Sequence, residues 1–281
     1  MKEKNKQRLF SFGKVILFFL MYIGLILLVS IIYGRIFSGE RFYDQLPVVL
    51  LQYAVGIFAI FLFVKIIDKE NFILALGLSL KNHVKEFFVG GLVGVICIII
   101  GFLTVIKLDF QQVEFSNYWI EKIDYFLIGT LLVLCSAIME EIIFRGYVLR
   151  KLSEKFPIFV SVIVSSVFFT LLHLFNPNIT ILSVINIFLA GILIGIMYLK
   201  TKNLWLAIGF HFSWNYMQTI LGFNVSGSGR LPSIFDVNFR ELNAFNGGEF
   251  GFEGSYICTI IIILAIVYAQ RRRNNDKNAS R

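Results

Sequence analysis

Proline and charged residues are both scarce in this sequence. The 281 residues include 4 prolines, and charged residues make up 16% of the total. Soluble domains carry about 25% charged residues, and a chain with few prolines can form long uninterrupted helices. The composition argues against an ordinary soluble domain and favours a protein built of long apolar helices.

Cysteine is rare as well. Cys97, Cys135 and Cys258 each lie within an apolar run, their number is odd, and no CxxC spacing occurs. This pattern argues against a disulfide framework and gives no sign of a thiolate zinc site. We interpret the three cysteines as small apolar residues packed between helices.

Long apolar runs are abundant. Hydrophobic residues make up 57% of the chain, and the mean hydropathy is +0.78. A membrane-spanning helix needs about 20 apolar residues. A scan with this length predicts eight spans, at residues 14–33, 47–67, 84–106, 124–150, 157–175, 179–199, 203–221 and 255–269. We expect an all-α, multi-pass transmembrane helical bundle with about eight spans, the fourth of which continues as one helix through the polar stretch EEIIFRGYVLR.

Basic residues alternate from loop to loop. The segments that share a face with the N-terminus carry 20 lysines and arginines, whereas the opposite loops carry six. Such residues concentrate on the cytoplasmic side of membrane proteins, so both termini are predicted to be cytoplasmic. The basic N-terminus resembles that of a signal peptide, but the apolar run after it is too long, and we expect a retained span. The net charge of +8 then reflects topology, and we predict no nucleic-acid partner.

We expect a single membrane domain over residues 1–281. Its last part divides into a Gly-rich extracytoplasmic loop at 222–254, a last span at 255–269 and a basic cytoplasmic tail at 270–281. The loop is longer than structureless loops usually are. It can be a lid or substrate-docking element, or equally an exposed flexible loop.

Two spans carry glycines four residues apart, which is a spacing that lets helix backbones approach closely. The pairs are Gly90 with Gly94 and Gly191 with Gly195. The pattern is common by chance, so it predicts close packing without identifying the partner helix.

A small set of polar residues lies inside the predicted spans. A charged side chain near the bilayer centre costs about 2.5–3.5 kcal/mol on insertion scales, so such residues need a partner or a wet cavity. The set comprises Glu140, Glu141, Arg145, His173, His211 and Asn215.

The fourth span carries two adjacent carboxylates. Glu141 and Arg145 are four residues apart and can pair on one helix face; a purely structural ion pair is an equally good interpretation of them. Glu140 points about 100° away from Glu141, because each residue turns an α-helix by that angle. We therefore expect the two carboxylates to face different neighbours.

Two further spans each carry a histidine with a companion one turn away. His173 shares a face with Phe169, and His211 shares a face with Asn215. Each polar side chain alone could simply make an interhelical hydrogen bond. Together with Glu140, they are most simply satisfied if three helices converge on one cavity.

Such a cavity would hold the groups needed for amide hydrolysis. A carboxylate beside an imidazole, here Glu140 with His173, can deprotonate a water molecule. His211 and the Asn215 amide can supply donors to a tetrahedral oxyanion. Alternatively, Glu140, His173 and His211 are three ligands of an open zinc site with water in the fourth position. The HExxH spacing of many zinc proteases is absent, so the sequence leaves the metal open.

The three motifs resemble those of the CPBP intramembrane proteases, a family that comprises CAAX-prenyl endopeptidases and bacteriocin-processing or immunity proteins. The family's motifs read EExxxR, FxxxH and HxxxN. In this chain they stand, in the same order, at Glu140–Glu141–Arg145, Phe169–His173 and His211–Asn215. The resemblance covers about residues 123–221, which we expect to be the catalytic core.

The resemblance implies an intramembrane endopeptidase, of a family often labelled metal-dependent, that acts on a peptide or protein substrate at the lipid bilayer. Glu140 with His173 would activate the water, and His211 with Asn215 would stabilise the oxyanion. The supporting residues would be Glu141, Arg145 and Phe169. Peptide maturation or self-immunity to a bacteriocin, in a bacterial plasma membrane, would be its setting.

Two other classes of function remain open at this point. A non-catalytic membrane scaffold or regulator on the same fold would tolerate loss of the polar residues. A transporter could use them as a proton relay, although the sequence lacks the paired Pro or Gly breaks of discontinuous transport helices.

Overall fold

The computed structural model describes residues 2–36, 42–81, 83–108, 110–116, 118–228, 233–239 and 241–279. Within these ranges the chain is an all-α membrane helical bundle, as predicted. The helices are α1 (Lys2–Ile36), α2 (Phe42–Leu62), α3 (Phe72–Leu76), α4 (Val84–Lys107), α5 (Tyr118–Glu121), α6 (Ile123–Glu141), α7 (Arg150–Ser153), α8 (Ile158–His173), α9 (Ile181–Thr201), α10 (Trp205–Ile220) and α11 (Tyr256–Ala279).

Five helical stretches are long and apolar enough to cross a membrane. They are Glu3–Arg35, Leu46–Ile67, Val84–Lys107, Ile123–Ser153 and Ile181–Thr201. The remaining three predicted spans correspond to α8, α10 and α11. Helices α8 and α10 have 16 residues each, and the apolar part of α11 ends at Arg271. Sixteen residues span about 24 Å, which is shorter than the roughly 30 Å hydrocarbon layer.

The fourth predicted span is one continuous helical rod, Ile123–Ser153, as expected. Its middle is not α-helical, because residues Ile142–Leu149 form a π-helix between α6 and α7. A π-helical turn holds more residues than an α-helical turn and often occurs at functional sites. Here it begins directly after Glu141.

Long-range contacts at the ends of the helices join segments that are far apart in the chain. At one end, Arg8 Nε donates to the Lys155 carbonyl at 3.1 Å, and Asn203 Nδ2 donates to the Ser79 carbonyl at 2.9 Å. At the other end, two short strands form an antiparallel pair. They are β1 (Gln111–Phe115) and β2 (Phe235–Phe239). Each contact joins segments that the predicted topology places on the same side of the membrane, and the cytoplasmic assignment stays a prediction.

An ion-pair network ties α1 to α7 at the end of the bundle that contains the N-terminus. The carboxylate of Asp68, which is 1% exposed, lies 2.6 Å from Lys14 Nζ and 3.3 Å from Lys151 Nζ. Glu70 lies 3.2 Å from Lys151 and 2.7 Å from Arg150. Each of these two carboxylates is thus paired with basic side chains from other parts of the chain.

The loop at 222–254 carries structure that the sequence did not predict. It contributes β2, and it ends in two 3-10 turns, Gly248–Phe250 and Phe252–Gly254. Phe250 and Phe252 are 1% and 0% exposed. The alternative of an exposed flexible loop is therefore wrong for this part of the loop, which packs into the bundle.

Helices α4 and α10 pack with their backbones close together. A side chain at Gly90 would overlap the Leu206 carbonyl oxygen, and one at Gly209 would overlap the Phe87 carbonyl oxygen. The glycine spacing of α4 thus correctly predicted close packing, and Gly191 makes a similar approach to α8. This packing fixes the helix that carries His211.

Candidate active site

A cavity of about 560 Å³ lies between α6, α8, α9, α10 and the loop at 222–254. Its lining includes all four predicted catalytic residues, Glu140, His173, His211 and Asn215. The three helices that carry them therefore converge, as the sequence predicted. Their catalytic roles stay a prediction.

Glu140 lies at the end of α6 and has two unlike carboxylate oxygens. Oε1 accepts a hydrogen bond of 2.7 Å from Ser136 Oγ. Oε2 is buried and has no hydrogen-bond partner among the described residues. This oxygen lies 3.8 Å from His173 Nε2 and 3.9 Å from His211 Nε2. Glu140 therefore presents one free oxygen to both imidazoles.

His173 is the last residue of α8, and its ring is oriented by its own helix. Nδ1 lies 2.8 Å from the Phe169 carbonyl oxygen. A carbonyl oxygen can only accept a hydrogen bond, so Nδ1 must carry the proton. In the neutral ring, Nε2 then presents its lone pair towards Glu140. Phe169 also packs against the His173 ring, with centroids 4.6 Å apart.

His211 is oriented by Glu141. Its Nδ1 lies 2.7 Å from Glu141 Oε1, and Arg145 Nη1 donates to the same oxygen at 2.8 Å. A carboxylate paired with a guanidinium is ionised and only accepts, so Nδ1 is again the donor. The expectation that Glu140 and Glu141 face different neighbours is wrong in this respect, because both face His211, through its two ring nitrogens. The π-helix begins directly after these two carboxylates.

The supporting residues are deeply buried. The side chains of Glu141 and Arg145 are 0% and 1% exposed. Arg145 Nη2 also donates to the Gly191 carbonyl at 3.3 Å, and its guanidinium carbon lies 4.6 Å from the Phe169 ring centroid. Phe169 therefore contacts both Arg145 and His173. Through Arg145 and Glu141, these contacts also connect His173 to His211.

Asn215 lies one turn after His211 on α10 and lines the same cavity. Its backbone carbonyl accepts a hydrogen bond of 3.1 Å from Thr219 Oγ1, one turn later on the same helix. Helix α10 thus presents an imidazole and a carboxamide to one space, as their spacing predicted.

A gap separates Glu140 Oε2 from the Nε2 atom of each histidine. Separations of 3.8 and 3.9 Å exceed the roughly 2.7–3.2 Å of a direct N–H···O hydrogen bond. All three atoms carry lone pairs, and none can donate to another while both imidazoles are neutral and Glu140 is ionised. One water molecule that donates to two of them, or one cation, would satisfy this arrangement.

The side chains of Glu140, His173 and His211 are of the types that bind zinc, but the distances between them fit a zinc ion less well. Two imidazole nitrogens and a carboxylate oxygen are common ligands of catalytic zinc, and their bond lengths of about 2.0–2.2 Å keep ligand atoms roughly 3.3–3.5 Å apart. The observed separations are a few tenths of an ångström wider. Accordingly, no group of three His, Cys, Asp or Glu side chains within the described ranges is spaced to hold a metal ion directly.

Several residues of the cavity wall were not predicted. Ser136 stands four residues before Glu140 on the same helix face, and that spacing could have identified it. Tyr22 and Tyr53 come from the first two helices, and no local pattern points to them.

Glu253 was missed as well, because it lies in the loop. Its Oε1 accepts from Trp214 Nε1 at 2.9 Å and Gln218 Nε2 at 3.2 Å. Its Oε2 accepts from the Ser226 amide and hydroxyl at 3.1 and 2.7 Å. All four donors are protein groups, so Glu253 fastens the loop to α10 beside the cavity.

Residues 122–217 match the family described as "Type II CAAX prenyl endopeptidase Rce1-like". The match covers roughly a third of the chain and contains all three motifs. The resemblance to the CPBP and CAAX protease family is thereby confirmed. Neither the curated proteins nor the solved structures gave a match.

Proposed function

We propose that this multi-pass membrane protein hydrolyses a peptide bond with a water molecule activated by Glu140, since its residues 122–217 match the Rce1-like family of type II CAAX prenyl endopeptidases. Its substrate is a peptide or protein that reaches the cavity from the membrane or its surface. The family supports a membrane protease; the mechanism and the substrate are the proposal.

A single observation carries the mechanism. Glu140 Oε2 is buried without a protein partner, and it faces the Nε2 atoms of His173 and His211 at 3.8 and 3.9 Å. A buried carboxylate oxygen without a donor is unfavourable by about 1–3 kcal/mol or more. A water molecule in the gap removes that cost and is the nucleophile that hydrolysis needs.

The proton steps follow from the hydrogen bonds. The water donates to Glu140 Oε2 and His173 Nε2, which directs its own lone pair into the cavity. As the oxygen attacks the scissile carbonyl carbon, Glu140 takes its proton. The carbonyl becomes a tetrahedral oxyanion, and Glu140 then passes the proton to the leaving amine. One water is consumed, and one carboxylate and one amine are formed.

Asn215 and His211 are the proposed oxyanion donors. The Asn215 amide can donate in its only protonation state. His211 can donate from Nε2 only when both ring nitrogens are protonated, since Nδ1 already donates to Glu141. The ionised Glu141 beside it favours that form, and this is a physical role for the second carboxylate of the motif.

A zinc ion is the alternative occupant of the gap. Glu140, His173 and His211 would hold it, and it would supply a Lewis acid that polarises the water and the carbonyl. In that case, Glu141 and the Phe169 carbonyl orient the two imidazoles through their Nδ1 atoms, a common arrangement for zinc-bound histidines. We favour the metal-free mechanism, because Glu140 Oε2 lies a few tenths of an ångström farther from each imidazole nitrogen than two ligand atoms of one zinc ion usually lie from each other.

The biological setting belongs to the proposal too. We propose maturation of a secreted peptide or self-immunity to a bacteriocin, in a bacterial plasma membrane, as this setting. Cleavage of a prenylated CAAX peptide is the activity that the family's description names.

Quenched fluorescent peptides test the proposal. The full chain, purified in detergent and reconstituted in liposomes, is given a CAAX peptide in farnesylated and unfarnesylated forms. We expect the protein to cleave one of them, and we expect Glu140→Gln to abolish cleavage, because an amide cannot accept the proton. The matched control is Glu249→Gln, on the exposed surface of the loop. Full cleavage by the Glu140→Gln variant would refute the assignment.

A further inference from the structure

A groove of about 370 Å³ lies between α1 and the segment formed by α7 and α8. It shares no lining residue with the cavity that contains Glu140. Its lining is mostly apolar, and among the described residues that form it Arg8 alone is charged. The volume is within the range of pockets that bind small molecules, about 300–1,000 Å³. The groove is therefore a second candidate binding site, with an apolar wall and one cation.

The positive charge beside the groove is not compensated by acidic side chains. Arg8 Nε donates to the Lys155 carbonyl at 3.1 Å, and Lys155 Nζ lies 3.5 Å from Gln7 Oε1. Both of these partners are neutral, and no carboxylate within the described ranges is paired with either basic side chain. By contrast, the basic side chains of the nearby ion-pair network are paired with Asp68 and Glu70. An anionic ligand would supply the missing negative charge.

The groove lies where charged surface gives way to apolar surface on both of its sides. On α1, Arg8 is followed by Leu9, which is 72% exposed. On the other side, the exposed Lys155 precedes Phe159 and Val160, which are 74% and 37% exposed. Basic side chains near the ends of membrane helices reach the headgroup layer, and exposed apolar side chains beyond them face the acyl chains. The boundary between these two layers therefore crosses the groove.

We propose that this groove binds one anionic phospholipid. Its phosphate lies beside Arg8 and Lys155, and one acyl chain packs against the apolar wall, which includes Phe12, Val160 and Val164. Anionic lipids concentrate in the cytoplasmic leaflet, where the N-terminus is predicted to lie. The inference does not depend on the proposed function, because the groove is separate from the candidate active site.

Arg8 is well placed to hold the phosphate. A guanidinium binds phosphate oxygens through several N–H donors in one plane. Arg8 uses Nε for the Lys155 carbonyl, so its two Nη groups can donate to the lipid. The guanidinium carbon lies 5.8 Å from the centroid of the Phe156 ring, which also lines the groove. These two contacts hold the guanidinium at the groove before a lipid binds.

Lipid titration by native mass spectrometry tests the site, with the full chain in an uncharged detergent. We expect the first phosphatidylglycerol to bind at least about tenfold more tightly than a phosphatidylcholine with the same chains. Attraction to an anionic lipid surface corresponds to about fivefold in affinity per basic side chain. Arg8→Gln/Lys155→Gln should therefore weaken phosphatidylglycerol binding about 10- to 30-fold and leave phosphatidylcholine binding nearly unchanged.

The matched control is Lys81→Gln/Lys85→Gln, which removes the same charge from exposed positions outside the groove. It should bind phosphatidylglycerol as the wild type does. Equal losses in the two double variants would show a diffuse attraction between charges and overturn the site. Equal wild-type affinities for the two lipids would overturn it as well. Release of phosphatidylglycerol by millimolar inorganic phosphate would show a site for free anions instead of a lipid site.

The apolar wall has its own variant, which keeps both charges. Val160→Trp places a large side chain in the groove, and we expect it to weaken binding of the first phosphatidylglycerol at least about fivefold. An unchanged affinity in this variant would show that no acyl chain occupies the groove.

Photolabelling locates the lipid without any substitution. A phosphatidylglycerol with a diazirine on its acyl chain is incorporated into liposomes with the wild-type chain. We expect labelling at residues 9–12 and 160–164, and unlabelled phosphatidylglycerol should suppress it more strongly than phosphatidylcholine does. Labelling that is spread evenly over the helices, or that is missing from these two segments, would overturn the inference even if the variants do not fold.

Discussion

Arg145 Nη1 lies 2.8 Å from Glu141 Oε1, and neither side chain is more than 1% exposed. The same carboxylate oxygen accepts from His211 Nδ1. A buried pair of this kind is costly to break, because the remaining charge has no compensation. The pair therefore links the stability of the bundle to the orientation of an imidazole in the cavity.

Removing the guanidinium alone should destabilise the protein. We expect Arg145→Met to lower the free energy of unfolding by about 3–5 kcal/mol, the usual cost of leaving a buried partner unpaired. Denaturant unfolding in detergent micelles measures this, with the exposed Arg35→Met as the control. Equal unfolding midpoints for the two variants would contradict the prediction.

Removing both charges separates structure from catalysis. Replacing a buried ion pair with apolar residues of similar volume is often neutral for stability. We expect Glu141→Met/Arg145→Met to regain much of the stability lost in Arg145→Met but to stay inactive, because His211 has lost its acceptor. A double variant that is both stable and active would show that the pair is only structural.

Metal chelation should leave cleavage intact. The proposed mechanism needs no metal ion between Glu140 Oε2 and the two imidazole nitrogens, which lie 3.8 and 3.9 Å from it. We expect the same kcat before and after dialysis against EDTA and 1,10-phenanthroline, and elemental analysis should find less than one zinc per chain. Loss of activity that zinc alone restores would establish the metal mechanism instead.

Glu253 should control the opening of the loop at 222–254. Glu253→Gln places an amide NH₂ group where the carboxylate now accepts from protein donors. A buried donor left unpaired costs about 1–3 kcal/mol, so local opening should become about tenfold more frequent. Hydrogen exchange of loop peptides, followed by mass spectrometry, measures it.

The control for this loop variant is Glu249→Gln, in the same loop and exposed. Exchange in α10 should stay slow in both proteins if the effect is local. Identical loop exchange in Glu253→Gln and Glu249→Gln would show that the Glu253 hydrogen bonds do not hold the loop.

Adjacent glycines on α4 should respond differently to the same substitution. Gly90→Ala places a methyl group against the Leu206 carbonyl, whereas the methyl group of Gly91→Ala would have 3.8 Å of space to the Gly209 carbonyl. Overpacking costs about 1–3 kcal/mol, so Gly90→Ala should lower the unfolding midpoint and Gly91→Ala should not. Similar midpoints would mean that α4 can shift away from α10.

The polar residues that line the cavity could be predicted from the sequence because they follow helical spacing. Glu141 with Arg145 and His211 with Asn215 lie one turn apart, and hydrophobicity alone predicts the helices that carry them. The fact that both carboxylates face His211 could not be predicted, since it depends on how α10 packs against α6, which is a tertiary contact.

The other residues of the cavity wall could not be predicted from the sequence, for a different reason. Tyr53 and Glu253 reach the site from helices and loops far away in the chain, and only tertiary packing brings them there. The pairing of β1 with β2 is also nonlocal: each strand is five residues long and lies between spans that dominate the hydropathy profile.

The wide turn after Glu141 makes the length of this segment critical. Residues Ile142–Leu149 form a π-helix, in which each turn contains more residues than a turn of α-helix. Deleting one residue between Glu141 and Arg145 would leave these two side chains three residues apart instead of four. The buried guanidinium would then lose its present position beside the carboxylate that orients His211, so a deletion that removes no functional group would still disturb the site.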